Sequence, residues 1–246
     1  MEKLNVTWCY PDILNLHGDR GNLQAIERIG ELLDIDVNIT KIENFEDKID
    51  FEKTDILFFN PGEMRVCEYI INALENQKKD LKKYIESNKV IIAIGTTGSI
   101  FSKRIIRINK GELVGLGFLD MICTERDSIV GDDLIVKLKD SDIELNGSQI
   151  QIMDTSLNDE EIRFADVIYG YGNNGYDKKQ EGARYKNLIF TNVLGPVLVK
   201  NPWFCEYIIK EAMKTKKVQI NKNLAEEDFE IELKAFNGIK EFNEYK

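Results

Sequence analysis

The chain has 246 residues, of which 43% are hydrophobic, and its 43 acidic and 33 basic side chains give a formal net charge of −10. The apolar content is enough for a substantial core, and the acidic balance argues against binding of a nucleic-acid backbone. Four scattered cysteines without a Cys-x-x-Cys pair argue against a zinc site or a disulfide framework, so we predict neither a metal nor another cofactor. With no signal segment and no apolar run long enough for a bilayer, the expected location is cytoplasmic.

The first half of the chain alternates between predicted strands and helices. Strands are expected at residues 4–10, 36–42, 54–60 and 89–95, and helices at residues 23–34 and 67–87. This order is typical of a doubly wound, mostly parallel sheet with helices on both faces.

After residue 101 the predicted strands become shorter and are interrupted by glycines. They cover residues 133–139, 143–154, 164–175 and 187–195, and we expect antiparallel hairpins at the edge of the sheet. A helix is predicted from Asn201, a candidate cap, with Pro202 in its first turn. Residues 1–215 are therefore predicted to form one domain, and the charged residues 216–246 an appendage that packs on it or extends from it.

Five sequence motifs occur in a fixed order along most of the chain. They are "YPDILNLHGDRGN" (10–22), "GLGFLD" (115–120), "YGYGNNG" (169–175), "EGARYKN" (181–187) and "LGPVLVKNP" (194–202). Together they resemble the type 1 glutamine amidotransferase domains of the cobyric acid synthase-like group, and most of all the glutaminase subunit of lipid II isoglutaminyl synthase. The resemblance implies a three-layer αβα, flavodoxin-like class I amidotransferase fold, a Mur-ligase-like partner, and a pathway of lipid II amidation or cobalamin synthesis.

The resemblance also implies a mechanism, and two of its residues are replaced here. In that group a cysteine thiolate on a strained turn attacks the side-chain amide of glutamine, a histidine serves as base, and backbone amides hold the oxyanion. The cysteine position in "AIGTTGS" (93–99) is Gly95, and the histidine position in "NVLGPV" (192–197) is Leu194. The single histidine, His17, follows the first strand and is interpreted as a loop residue.

Two further segments depart from the family pattern. The glycine-rich turn whose amides help to bind the oxyanion is "NPGEM" (60–64) here, and Pro61 has no N–H to donate. An Asn-His pair of the family is absent from "GSQIQ" (147–151). Because all these departures fall on catalytic parts, we predict no catalytic residue and no glutamine hydrolysis by the family mechanism. Thr96 or Thr97 could act as an unconventional nucleophile only beside a base.

Some retained residues could still bind a ligand or a partner. Asp19, Arg20 and Asn22 lie in a turn before a helix, which suits an anion or a partner contact, although Asp19 and Asn22 could simply cap that helix. Arg126 stands where family members carry a basic residue thought to face substrate, and it could equally be a solvated cation. These alternatives remain open.

The turn at residues 95–99 is a second candidate for ligand binding. Its successive amides and hydroxyls could hold a carboxylate or a phosphate, with Gly62, Thr96 and Thr97 as contacts. Asn173 and Asn174 stand between glycines, so they either form a tight turn or belong to a ligand or partner rim.

Three functions are compatible with these features. The leading hypothesis is a catalytically degenerate, amidotransferase-like protein that acts as a partner-binding or regulatory subunit, beside a Mur-ligase-like or other synthetase. The second is a protein that binds glutamine, glutamate or an anion in the former glutamine pocket. The third is an active amidotransferase with unconventional residues.

Overall fold

The computed structural model describes residues 1–176 and 179–244. Its strands are β1 (Glu2–Cys9), β2 (Ile35–Ile42), β3 (Ile56–Phe59), β4 (Val90–Ile94), β5 (Arg104–Arg107), β6 (Gly111–Val114), β7 (Met121–Leu138), β8 (Glu144–Leu157), β9 (Ala165–Tyr169), β10 (Gln180–Glu181), β11 (Ala183–Tyr185) and β12 (Leu188–Thr191). The α-helices are α1 (Gly21–Leu32), α2 (Cys67–Glu75), α3 (Lys78–Glu86), α4 (Val197–Lys200), α5 (Pro202–Thr215) and α6 (Glu230–Glu244). None of these helices has both the length and the apolar composition needed to cross a membrane.

The main sheet has the strand order β11-β12-β4-β3-β1-β2, and all its neighbouring strands are parallel except β11 and β12. Successive side chains of β3 enter two different cores: Ile56 and Phe58 pack in the core that contains α1 and α5, whereas Leu57 and Phe59 pack in the core that contains α2 and α3. A sheet covered on both faces requires apolar residues throughout its strands, as β3 and β4 have. The predicted three-layer αβα class is confirmed.

The antiparallel strands lie mostly in a second sheet, which differs from their predicted position at the edge of the first. This sheet has the order β10-β9-β7-β5-β6, with β8 also paired to β7. Within residues 1–176 and 179–244, only the β11–β12 hairpin lies at the edge of the main sheet, and β12 itself runs parallel to β4. The alternation of residues within a hairpin indicates which side is buried, but it does not specify the sheet with which the hairpin pairs.

Two predicted helices differ in detail. Residues 67–87 form α2 and α3 rather than one helix, because Gln77 leaves the helical conformation (φ −116°, ψ 9°) and its side chain accepts a hydrogen bond from Ile49 N at 2.9 Å. Pro202 does open α5, but the Asn201 side chain does not cap it. Asn201 Oδ1 instead accepts from Asn146 N at 2.8 Å, which ties α5 to β8.

Residues after α5 cross the surface and end in α6, which packs on the rest of the chain. The Trp203 ring of α5 lies 6.4 Å from the Phe229 ring and 5.6 Å from the Phe236 ring. Ion pairs join Glu232 to Arg28 and Lys240 to Glu144, each at 2.7 Å. This segment therefore links α1 and α5 to β8 of the second sheet.

The direction of the strand order reverses at β1, because β2 lies on one side of it and β3 on the other. Loops that follow β1 and β3 therefore leave the sheet in opposite directions and open a crevice at the carboxyl ends of the strands. Ligands of open α/β sheets bind in such a crevice.

Candidate functional site

A cavity of about 470 Å³ lies at this crevice. It is lined by the loop after β1 (residues 16–17), the loop after β3 (61–65), the turn after β4 (95–96), Leu194 after β12, and side chains of the second sheet, namely Lys110, Glu125, Ile150 and Ile152. The cavity thus contains both positions at which the resemblance places catalytic residues, Gly95 and Leu194.

Gly95 occupies the bend between β4 and a 3-10 helix (Gly95–Phe101), where the sequence resemblance suggested a strand-to-helix turn. Its φ of +60° lies in the left-handed region, which glycine adopts without a steric cost. A Cβ built on Gly95 would lie 3.3 Å from Leu194 Cδ2 and 3.3 Å from Pro61 Cβ. The bend therefore has a positive φ at the position of the family nucleophile, and a side chain there would face the apolar carbons of Leu194 and Pro61.

Leu194 forms a wall of the cavity and is only 3% exposed. Its backbone is held by a two-way bridge to Ser148 of β8, with Leu194 N donating to Ser148 O at 2.9 Å and Ser148 N donating to Leu194 O at 3.1 Å. An aliphatic side chain neither accepts nor releases a proton, so this position offers no general base.

Within the turn that the resemblance assigns to the oxyanion, one backbone donor is missing and a second is engaged. Pro61 lacks an N–H, and Gly62 N donates to Thr96 Oγ1 at 3.3 Å. The Thr96 hydroxyl in turn donates to Gly62 O. Gly62 and Thr96, both predicted as ligand contacts, thus lie together in the cavity wall. The Gly62 backbone and the Thr96 hydroxyl satisfy each other's hydrogen-bonding groups.

The other nucleophilic groups near the turn are satisfied or buried. Thr97 is fully buried behind the cavity, and its hydroxyl is within hydrogen-bond distance of Ile94 O (2.8 Å) and Asn60 O (3.1 Å). Cys67 lies 3.8 Å from Thr96 O, and burial raises the pKa of its thiol to about 11. His17 lines the cavity from an exposed loop position with φ of 58°.

Asp19 and Asn22 are fully buried beside the crevice and form a hydrogen-bonded network. Asn22 Nδ2 donates to Asp19 Oδ1 (3.2 Å) and to Asn60 Oδ1 (3.1 Å), while Asn22 Oδ1 accepts from Leu198 N (2.9 Å). Burial raises the pKa of Asp19 to about 6, although its bond from Asn22 opposes the shift. The network ties the loop after β1 to β3 and α4, and neither side chain caps α1, which begins after the exposed Arg20.

Arg126 and the two asparagines lie outside the lining of this cavity. Arg126 Nη1 donates to Asp154 at 2.8 and 2.9 Å and to Tyr171 Oη at 2.6 Å. Asn173 exchanges two hydrogen bonds with the Gly182 backbone, at 2.8 and 2.9 Å, and Asn174 follows it in the same turn. All three therefore belong to the second sheet and its β9–β10 connection.

Several lining residues were not identified from the sequence. Lys110 comes from the turn between β5 and β6, two strands that the sequence analysis did not predict. Ile150 and Ile152 alternate along β8 and so point to one side of it, which is a signal that the pattern of the strand contains. Ile150 and Ile152 can be assigned to the cavity only when the position of the second sheet is known.

Near this site, the buried Glu181 carboxylate orients the segment that leads to Leu194. Its oxygens accept from Asn192 N at 2.6 Å and from the Thr191 hydroxyl at 3.0 Å. Burial raises the pKa of Glu181 to about 7, while these hydrogen bonds act in the opposite direction.

Comparisons with curated proteins give two relatives over almost the whole chain, although no family model matches. The chain is 30% identical over 241 residues to the lipid II isoglutaminyl synthase (glutamine-hydrolyzing) subunit GatD of Staphylococcus aureus strain N315, covering 95% of this chain and 94% of the relative. It is 26% identical over 245 residues to the subunit of the same name from Streptococcus pneumoniae strain ATCC BAA-255 / R6, covering 95% and 93%.

Solved structures agree on the fold. A glutamine amidotransferase crystal structure superposes with a TM-score of 0.55 at 16% identity, over 85% of this chain and 98% of the other. PurLQS from Thermotoga maritima gives a TM-score of 0.51 at 12% identity, over 78% and 87%. At these identities the likeness concerns the fold alone.

Proposed function

Because the chain belongs to the family of the glutaminase subunit GatD of lipid II isoglutaminyl synthase, we propose that it is a non-hydrolysing member that acts as a partner-binding or regulatory subunit. The observation that carries this proposal is that Gly95 and Leu194 lie next to each other in the wall of the cavity. At the two positions where the family mechanism needs a nucleophile and a base, the chain has a hydrogen atom and an isobutyl group.

The chemistry of amide hydrolysis supports this reading. Formation of a γ-glutamyl thioester needs a sulfur at Gly95, and the thiol of Cys67 is buried with a raised pKa. Loss of one oxyanion donor costs about 2.7–4 kcal/mol of barrier in an active enzyme, and here Pro61 removes one donor while Thr96 occupies another. The Thr96 hydroxyl donates to Gly62 O, a carbonyl oxygen that does not act as a general base.

A glutaminase assay tests the proposal directly. The purified full chain, alone and mixed with a candidate synthetase subunit, is expected to release glutamate from glutamine no faster than buffer does. Robust release that Thr96→Ala abolishes would instead support an active amidotransferase with unconventional residues. Release that persists in Thr96→Ala and disappears in His17→Ala would also overturn the proposal.

The names of the relatives support a proposal about the partner. Both curated relatives are named as subunits of a lipid II isoglutaminyl synthase, so we propose a synthetase component as partner, of the Mur-ligase-like kind, and a place in cell-wall synthesis. Affinity purification from native lysate, with mass spectrometry, is expected to recover such a ligase-like chain. Repeated recovery of the protein alone as a monomer would count against this role.

A second candidate function is small-molecule binding, which the open cavity beside Gly95 favours. Its apolar wall of Leu194 and Ile150 and its polar groups on His17 and Lys110 suit a small amino acid or anion. Glutamine, glutamate or phosphate should then raise the melting temperature of the protein. Thr96→Gly should enlarge that shift by freeing Gly62 N–H, whereas Thr96→Ser should leave it unchanged; a flat response in all three proteins removes this candidate.

A further inference from the structure

A second depression of about 720 Å³ lies next to the cavity and shares Arg65 and Lys110 with it. We call it the aromatic depression; its apolar side consists of Ile13, Phe45 and Tyr69, and its cationic side of Arg65, Arg107 and Lys110. Apart from these two shared cations its walls differ from those of the Gly95 cavity, and the proposed function does not use its aromatic side.

The apolar side is a platform of stacked rings. The Phe45 ring lies 5.6 Å from the Tyr69 ring at an interplanar angle of 20°, and the Tyr10 ring supports Phe45 from 5.3 Å. Tyr69 is nevertheless 59% exposed. One side of its ring is therefore supported by Phe45 while much of the side chain stays at the surface, where another flat ring could stack on it.

The opposite side carries three cationic side chains in a chain whose formal net charge is −10. Of the four charged side chains that line the depression, only Glu68 is acidic, and it is paired with Arg107 Nη1 at 2.9 Å. Lys110 has no carboxylate partner among the residues that the structure describes. Arg65 stands just before α2, and its guanidinium pairs with Glu63 at 2.6 Å.

We propose that the aromatic depression binds a nucleoside phosphate, with the base stacked on Tyr69 and the phosphate against Lys110 and Arg65. Stacking on an aromatic ring recognises any base through its π-face, and the cationic side chains recognise the phosphate. A ligand that contains both groups matches the whole depression, whereas inorganic phosphate or a free nucleoside matches only one side of it.

Isothermal titration calorimetry of the full chain with AMP, GMP, adenosine and inorganic phosphate tests the proposal. AMP and GMP are expected to bind, and adenosine or phosphate alone to bind at least about tenfold more weakly. Tyr69→Ala should weaken AMP binding by about tenfold or more, in line with the stacking contribution of one base. Lys110→Ala should weaken it and reduce its dependence on salt concentration.

Matched controls are Tyr185→Ala, which removes a 40% exposed tyrosine from β11, and Lys234→Ala, which removes an exposed lysine from α6. Both should bind AMP like the unaltered chain. A flat titration at millimolar AMP overturns the proposal, as does AMP binding that Tyr69→Ala leaves unchanged. If Tyr69→Ala retains AMP binding but loses the co-purified partner, the depression is a protein-contact surface. None of these outcomes depends on glutamine hydrolysis, so the proposed function is tested separately.

Discussion

Gly95 and Leu194 are 99 positions apart in the chain, yet a Cβ built on Gly95 would lie 3.3 Å from Leu194 Cδ2. The parallel pairing of β4 with β12 places the residues that follow both strands at one edge of the sheet. The two positions that the sequence resemblance assigns to the nucleophile and the base are therefore neighbours in the structure, and both lack the chemistry.

Reinstalling both groups is expected to produce hydrolysis. Gly95→Cys with Leu194→His should release glutamate from glutamine above the background of the unaltered chain, and either substitution alone should not, because a nucleophile and its base act as a unit. The rate should remain about a hundredfold or more below that of an intact glutaminase, since Pro61 still lacks a donor.

The control for this pair is Gly95→Ala with Leu194→His, which has the same base and backbone change but no thiol. Activity equal to that of the cysteine variant would contradict the assignment of Gly95 as the nucleophile position.

Substitution of Gly95 should also cost stability. Because φ at Gly95 is +60°, Gly95→Ala is expected to lower the free energy of unfolding by about 1–2 kcal/mol. Gly238→Ala is the matched control: this glycine lies within α6 with no atom within 4 Å of an added Cβ, and alanine there should raise the free energy by up to about 1 kcal/mol. Urea unfolding of both variants measures the two changes in the free energy of unfolding. If both changes have the same sign, the strained conformation of residue 95 is contradicted.

Glu181 predicts a pH dependence of stability. Its folded pKa of about 7 lies above the ordinary value of 4.5, so the native state holds this proton more tightly than the unfolded chain does. Its contribution is fully present below about pH 4.5 and is lost as the pH rises through about 7. Glu181→Gln should therefore gain stability relative to the unaltered chain as the pH rises from about 5 to 8, by up to about 3 kcal/mol.

Denaturant unfolding of both proteins across this pH range measures that effect. The difference between the two curves cancels the contributions of the other carboxyl groups. If the free energies of unfolding of the two proteins change in parallel with pH, the raised pKa of Glu181 is contradicted.

Packing of α6 on α5 can be tested at two positions of α6, one buried and one exposed. Phe236 is 8% exposed and lies edge-on to Trp203, so Phe236→Ala should lower the free energy of unfolding by about 3 kcal/mol. Ile231→Ala, on the same helix but 80% exposed, should change it by no more than about 0.5 kcal/mol. Similar values for the two variants in urea would indicate that α6 is not docked in solution.

Local patterns in the sequence were enough to predict the fold class and to propose where the site lies. Continuous apolar runs such as β3 and β4 predict buried parallel strands, because a sheet covered by helices on both faces needs apolar residues at every position. The motif order identified the family, and residues 93–99 and 192–197 contain the positions that the resemblance assigns to the nucleophile and the base. All of these are local patterns, which a chain displays before it folds.

Which residues meet in the folded protein could not be predicted from those local patterns. The second sheet, the contribution of Lys110 and Ile150 to the cavity, and the contact of Thr96 with Gly62 depend on pairings between distant segments, which periodicity does not specify. Arg126 illustrates the same limit: its sequence suggested either a substrate contact or a solvated cation, and the fold places Asp154 and Tyr171 against it. A local pattern shows which face of an element is buried, whereas its partner is selected by packing across the whole chain.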